Sequence, residues 1–565
     1  MMTKLSKVLL AFAIIAVSAG ICWRWWDKIA PQNGPTAVTQ KTVVDIKDKL
    51  LAGSKSVSEV AQATIPPVTG VSDYDKILKN GKVVVQFPIN VWPGWAPIIV
   101  ANNGLDANDE SIFYKKYGFY VQLSIVDDPV KARDLFASGR THILWGTLDM
   151  MALFAPALSK DSRTVPIIPM QVDFSSGGDG VVARGNIKSV NDLRMAGGKK
   201  KSIVLGQNSP SHFLIMSLLV DANIDPSEID FRWAADAPSA AKLFVQDSTI
   251  DAFVGWSPDI YTVSDNVPNT RIIVSTASAN KLIADVWAVR NDFFRDNPDI
   301  VKNLVRGVFE GMDLVRKNPN NAARILATAY GIPSEDCIAM IGKDGGVSEG
   351  DAHLTNYREN QKFFIDTMNP ANFDNLWKRA STIYRSLGAI DEDIVSSKVK
   401  ASKIITELAG EYKDSIDLSQ PTFNPNAIQK MMEASEGQLL SRSVVITFKP
   451  NSSVLDLAYD PAITNVIKQI GEMAGSFGNA FIVIEGNSDA SLKGTVSADL
   501  VRALSYDRAD AVKKSIMAAY SFDPNKFSVK GNGWDSPLPG CMDNSNPDCN
   551  KKNRRVEVKI FPLEK

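Results

Sequence analysis

The chain has 565 residues, too many for one core, and about three or four domains are expected from that length. Its 62 basic and 63 acidic residues leave a formal charge of -1, which excludes an overall electrostatic footprint for nucleic acid. Cys22, Cys337, Cys541 and Cys549, with three histidines, build no paired Cys-x-x-Cys or Cys/His zinc pattern, and no cofactor is implied.

At the amino terminus Lys4 and Lys7 precede an apolar run from Val8 to Trp23, followed by Arg24, Trp25, Trp26 and Lys28. A run this short is either a secretory signal or a minimal membrane span. Val17-Ser18-Ala19 offers small residues for cleavage. The tryptophans and Arg24 look instead like an interfacial belt, favouring a single retained hydrophobic helix over 1–28. Ile21 before Cys22 is too bulky for a lipobox. On either reading the charge placement sends the remainder across the inner membrane into the periplasm.

Residues 29–80 mix Pro31, Pro35, Pro66, Pro67 and Gly70 with a short amphipathic stretch, which reads as a stalk. From Lys82 the texture changes. Val83 to Val85, Val121 to Val126, Ser202 to Leu205 and Ala252 to Val254 read as strands. Lys131 to Ser138, Ser211 to Ala222 and Ser239 to Gln246 read as helices between them. Such alternation predicts parallel sheets covered on both faces. From Asn297 to Leu408 the pattern turns helical, and Asp299 to Lys317 carries apolar residues at helical spacing until Asn318-Pro319. A polar segment within 411–440 separates this 81–410 domain from a final domain at 441–565.

The 81–410 segment resembles the periplasmic solute-binding proteins of the nitrate, sulfonate and taurine class, relatives of the thiamine-precursor binders. The resemblance rests on ordered pieces: Trp92 to Ala101, Tyr117-Gly118-Phe119, Gly146-Thr147-Leu148-Asp149, Ile187 to Leu193, Ser209 to Phe213, and Asp251 to Pro258. It implies a two-lobed α/β fold, without enzymatic activity, whose strand ends and helix starts face a cleft. Ser209, Ser211 and the free amides of their helix would cradle an anion or carbonyl, or simply cap the helix. Trp92, Trp95 and Trp256 line a small ligand or brace lobe cores. Thr147 lies on the same rim. The glycine-rich Ser176 to Gly180 reads as a crossing between lobes, with Ser175 as a donor. The ligand expected is anionic or zwitterionic. His142, His212 and His353 have no partner motif and read as structural. The thiamine-pyrimidine enzymes related to this class carry a cysteine-rich iron motif that is missing here.

The last segment resembles the OmpA-like peptidoglycan-binding domain, in Gly486-Asn487-Ser488-Asp489, Leu504-Ser505 with Arg508-Ala509, Gly531 to Pro537, and Asn553-Arg554-Arg555. The resemblance implies an α+β domain, opened by a strand over Val444 to Phe448. Asp489 and Arg508 would hold the zwitterionic end of diaminopimelate in the stem peptide. Asn553 would fix a loop and Arg555 support the pocket. Asn487 and Val501 depart from the family pattern, which has histidine and asparagine there. A merely structural Asp489/Arg508 salt bridge is the competing reading. Cys541 and Cys549 bracket a short turn that an oxidising periplasm can close as a disulfide.

Together these readings predict a solute receptor held at the wall, with an ABC permease or membrane sensor as partner and a possible second tether at the inner membrane. The competing reading is a structural protein with a degenerate binding lobe. A proton-conducting stator is disfavoured, because no Asp or Glu interrupts Val8 to Trp23.

Overall fold

The computed structural model describes residues 59, 65–419, 421–424, 437–446, 448–449, 451–542 and 545–563. The apolar run expected to form an anchor, most of the stalk and part of the 411–440 linker lie outside them. Among the described residues no helix is long and apolar enough to cross a membrane.

The first lobe begins with β1 (Leu78–Lys79), β2 (Lys82–Ile89), β3 (Tyr120–Ile125), β4 (Ile143–Thr147) and β5 (Pro166–Ser175). β2 and β3 pair in parallel, as expected for strands joined through helices. β4 is buried along its whole length, which fits its unbroken apolar run. The second lobe holds β6 (Asp179–Arg184), β7 (Lys201–Gly206), β8 (Ile229–Ala234), β9 (Ala252–Trp256) and β10 (Thr270–Ser275), in the order β10-β6-β9-β7-β8. The chain then returns through β11 (Ala284–Arg290) and adds β12 (Ala352–Leu354) to the first lobe, giving a sheet ordered β12-β5-β11-β4.

The expectation of parallel sheets therefore needs correction. β11 runs antiparallel to both β4 and β5, and β6 is antiparallel to β9 and β10. The reason is the double crossing: a strand that leaves a lobe and the strand that re-enters it must run in opposite directions.

The crossings are stitched together. Thr276 Oγ1 accepts from the amides of Gly177 (3.0 Å) and Asp179 (3.1 Å) and lies 2.8 Å from Ser175 Oγ. The glycine-rich segment is thus a hydrogen-bonded hinge. Behind it the helix Phe373–Ser386 touches both lobes: Tyr384 Oη donates to Asp149 in the first, and Arg379 pairs with Asp221 at 2.8 Å in the second.

The C-terminal domain is built on β13 (Leu440–Val444), β14 (Ala480–Asn487), β15 (Phe527–Gly533) and β16 (Val556–Pro562), in the order β13-β16-β14-β15. The opening strand lies earlier than expected. It ends at Val444, leaving Val445, Ile446 and Phe448 beyond it, and Thr447 is outside the described residues. Helices Ile463–Ser476 and Ala498–Ala519 cover the sheet. Two glycines permit the close approach of the second helix, because a Cβ on Gly486 would sit 1.9 Å from Ser505 O and one on Gly531 2.3 Å from Arg502 O.

This domain is seated on the two-lobed one. Ser441 and Asn191 exchange two hydrogen bonds (2.6 and 2.9 Å), and Lys281 N donates to Ser476 O at 3.1 Å. Asn479 N donates to Asn280 Oδ1 at 2.9 Å. Where the hinge meets the domain, a cavity of about 140 Å³ opens, lined by Phe174, Lys281, Phe363, Phe423 and Lys526 among others.

Candidate functional sites

In the cleft, β4, β11 and β5 lie side by side, and their registers set Thr147 opposite Asp285 and Asp285 opposite Asp173. Residues directly opposite on antiparallel strands share a face, so these three side chains form one row. Phe174, one residue on, points to the other face and into the hinge cavity. Asp149 joins the row from the start of the helix Leu148–Leu158, Asp179 from the hinge end of β6, and Asp351 from just before β12.

All five carboxyls are buried. Loss of water pushes Asp149 up to about 6 and Asp179 up to about 7. Asp173 and Asp285 hydrogen-bond to each other; burial pushes Asp173 up to about 7 and Asp285 well above the carboxylate range. Each carboxyl thus favours its protonated form beside the other.

Neutral donors reach these acids among the described residues. Trp92 Nε1 donates to Asp173 at 3.3 Å, Ser175 Oγ to Asp179 at 2.6 Å, and Tyr384 Oη to Asp149 at 3.0 Å. Ser257 Oγ (2.5 Å) and Tyr261 Oη (3.1 Å) reach from the second lobe to Asp351. The lobes are closed over the row.

The residues expected at the ligand divide on inspection. Trp92 and Thr147 lie on the acidic row, and Ser175 stands beside it with its hydroxyl engaged at the hinge. Trp95 is buried and donates to Asn90 at 2.7 Å, so it braces the loop. Ser209 Oγ returns to Gly206 O at 2.7 Å instead of capping its helix, whereas Ser211 Oγ is buried without a hydrogen-bond partner. Trp256 ends β9 opposite Asp179 and is half-buried. Of the histidines, His142 and His212 are held neutral by burial, pushed down to about 4, and His353 bonds Glu359 at 2.5 Å.

In the C-terminal domain Asp489 follows β14, and Arg508 projects from the helix that Gly486 and Gly531 allow to pack close. Arg508 is 9% exposed; its Nε donates to Ser452 O at 3.0 Å and its guanidinium lies 5.0 Å over the Phe448 ring. Neither terminal nitrogen has a hydrogen-bond partner among the described residues. Burial and the neighbouring Arg554 lower its pKa, and Asp489 opposes them. Asp489 and Arg508 form no ion pair with each other. Asp489 accepts from Ser491 N at 2.9 Å and pairs with Arg554 at 3.2 Å. Arg554 was not among the expected site residues, although it lies between two that were.

Asn553 fixes the loop: its Oδ1 accepts from Leu538 N and its Nδ2 donates to Cys541 O, both at 2.8 Å. Cys541 and Cys549 form the disulfide. Arg555 donates to Ser536 O at 3.1 Å and to Glu557 at 3.2 Å. Asn487 is buried and accepts from Asn532 at 3.1 Å, so the residue that departs from the family pattern sits in a satisfied polar network.

Residues 447–554 match the model of the OmpA family. Over 121 residues the chain is 31% identical to outer membrane protein Omp38 of Acinetobacter baumannii, covering 21% of this chain and 31% of that one. The chain thus spans about a third of the length of that relative. Over 260 residues it is 23% identical to the taurine-binding periplasmic protein of Escherichia coli, covering 44% of this chain and 74% of that one. Among solved structures, the periplasmic aliphatic sulphonate binding protein SsuA from Escherichia coli aligns with a TM-score of 0.44 at 12% identity, over 57% of this chain and 99% of that one. The molecule carries an OmpA domain at its carboxyl end, preceded by a region that resembles the periplasmic binding proteins of the nitrate, sulfonate and taurine class.

Proposed function

We propose that the protein is a non-enzymatic solute receptor mounted on the cell wall. Its two lobes close on a small polar solute, and its last domain binds the diaminopimelate-containing stem peptide of peptidoglycan. The observation that carries the wall assignment is the Arg508 guanidinium, which among the described residues is hydrogen-bonded only at Nε and feels the charges of Asp489 and Arg554. Its open terminal nitrogens suit a carboxylate, while Asp489 receives the ammonium of the same zwitterion. The disulfide and Asn553 hold the loop that brings Arg554 to this site. Lobe closure is the signal or hand-over state, read by an ABC permease or membrane sensor.

Binding to isolated sacculi tests the wall site. Asp489→Ala and Arg508→Ala are each expected to lower retention by about tenfold or more, since hydrogen bonds to charged groups are worth roughly 1.5 to 3 kcal/mol. Unchanged retention of both variants would remove the assignment.

A further inference from the structure

The cleft contains a charge problem that its neutral donors do not solve. Asp149 (3% exposed), Asp173 (0%), Asp179 (3%) and Asp285 (6%) are removed from water together. Among the described residues no Lys or Arg forms an ion pair with any of the four. Buried carboxyls without a cation are costly, and several in one site cannot all ionise. An acidic row might still be a structural network of shared protons, were every polar atom in it paired. One is not. Thr147 Oγ1, 2% exposed, has no hydrogen-bond partner, although its place opposite Asp285 aims it into the row. It stands near enough to Asp149 to favour that carboxylate without closing a bond of normal geometry. The row therefore offers carboxyl oxygens and one free hydroxyl.

Two occupants fit poorly. An anion would meet carboxyls and no cation. Among the described residues no three His, Cys, Asp or Glu side chains converge to hold a metal ion. A protonated amine matches better, as a compact charge with several N–H donors that can be shared among separated acceptors.

We propose that the ligand enters this cleft with a protonated amine foremost, received by Asp173 and Asp285, flanked by Asp149 and Asp179, with Thr147 Oγ1 accepting one of its hydrogens. The inference rests on the receptor reading and narrows it: of the anionic and zwitterionic ligands expected from sequence, only the zwitterion remains, joined by simple amines. Seating the amine removes one proton from the Asp173/Asp285 pair and leaves the other in place, so the single positive charge is balanced, one proton is released and binding tightens as pH rises from 5.5 to 8. The other ionisable groups acting on the row among the described residues include Asp351, Tyr261, Tyr330 and Tyr384, with His212 packed against Tyr384; the tyrosines stay neutral across that range, and His212, pushed down to about 4, stays uncharged.

Titration calorimetry on the full chain, with matched probes, tests this. Taurine is compared with isethionate, its hydroxyl analogue, and ethanolamine with ethylene glycol; nitrate and methanesulfonate serve as pure anions. The amine of each pair is expected to bind at least about tenfold tighter, with proton release visible as a buffer-dependent heat. Isethionate or nitrate binding as tightly as taurine would overturn the amine assignment while leaving a receptor. Absence of heat with every probe would also overturn it; a native mass spectrum of protein recovered from the envelope, carrying a solute or bare, then decides the receptor reading separately. Asp285→Asn is expected to remove the amine preference without lowering the thermal midpoint at pH 8, and Thr147→Val to weaken amine binding severalfold. Retained preference in both folded variants would place the amine elsewhere.

Discussion

The cleft and the proposed wall site are opposite solutions to holding charge out of water. In the cleft, Asp149, Asp173, Asp179 and Asp285 are gathered without an ion pair to Lys or Arg among the described residues, and burial raises their pKa values. In the wall site an arginine keeps its charge, because a guanidinium cannot give up a proton in a protein, and a carboxylate and second arginine stand around it. The lesson is that the first site is tuned by pH and the second by geometry. Acids with raised pKa values adjust to what arrives, whereas a guanidinium must be aimed.

Breaking the aim should have the largest effect. Gly486→Ala drives a methyl into Ser505 O and must push the Arg508 helix off β14, with an expected loss of roughly 3 kcal/mol or more in the C-terminal domain. Sacculus retention should vanish while amine binding in the cleft persists; loss of both would show that the sites are not separable.

Next in size is the pH response. Asp149, Asp173, Asp179 and Asp285 have folded pKa values above their unfolded ones, so their stabilising contribution is complete below about pH 4 and is lost as pH rises through 6 to 7. His142 and His212 act in the opposite sense. Their pKa values are depressed, and their contribution is lost as pH falls from the usual ~6.5 through about 4. Thermal unfolding without ligand should therefore peak at mildly acidic pH and decline towards pH 8. Asp285→Asn should raise the midpoint at pH 8 by a few degrees, corresponding to about 1 to 2 kcal/mol. A flat profile in the parent chain would refute the tuned-acid description.

Reducing Cys541–Cys549 should cost roughly 2 to 3 kcal/mol on the chain-entropy model for so short a loop, with a severalfold loss of sacculus retention as Asn553 loses its fixed partner. Smallest is Arg554→Ala. Its guanidinium is half exposed, and removing its pair with Asp489 should change retention by about fivefold or less. A larger effect would make Arg554, rather than Arg508, the principal grip.

Much of the fold is legible, since strands such as Lys201–Gly206 carry a continuous apolar run and helices such as Pro298–Lys317 carry helical apolar spacing within a single segment. The helix Ile463–Ser476 lies outside the sequence expectations, although Ile463, Ile467, Ile470 and Ala474 mark its buried face. Asp489 and Arg508 were found because they sit in local motifs. Arg554 and Arg555 look alike in sequence, and only folding turns one towards Asp489 and the other towards Glu557.

By itself, the sequence determined the order of elements, the OmpA-like motif and the proximity of the two C-terminal cysteines, all of which are written in short stretches of chain. Tertiary structure alone decided the character of the cleft. Asp149, Asp173, Asp179, Asp285 and Asp351 come from distant segments, each an ordinary surface-type residue when read alone. Antiparallel registers and a closed hinge place them together, and burial then changes their protonation, a property that belongs to the assembly and to none of its residues.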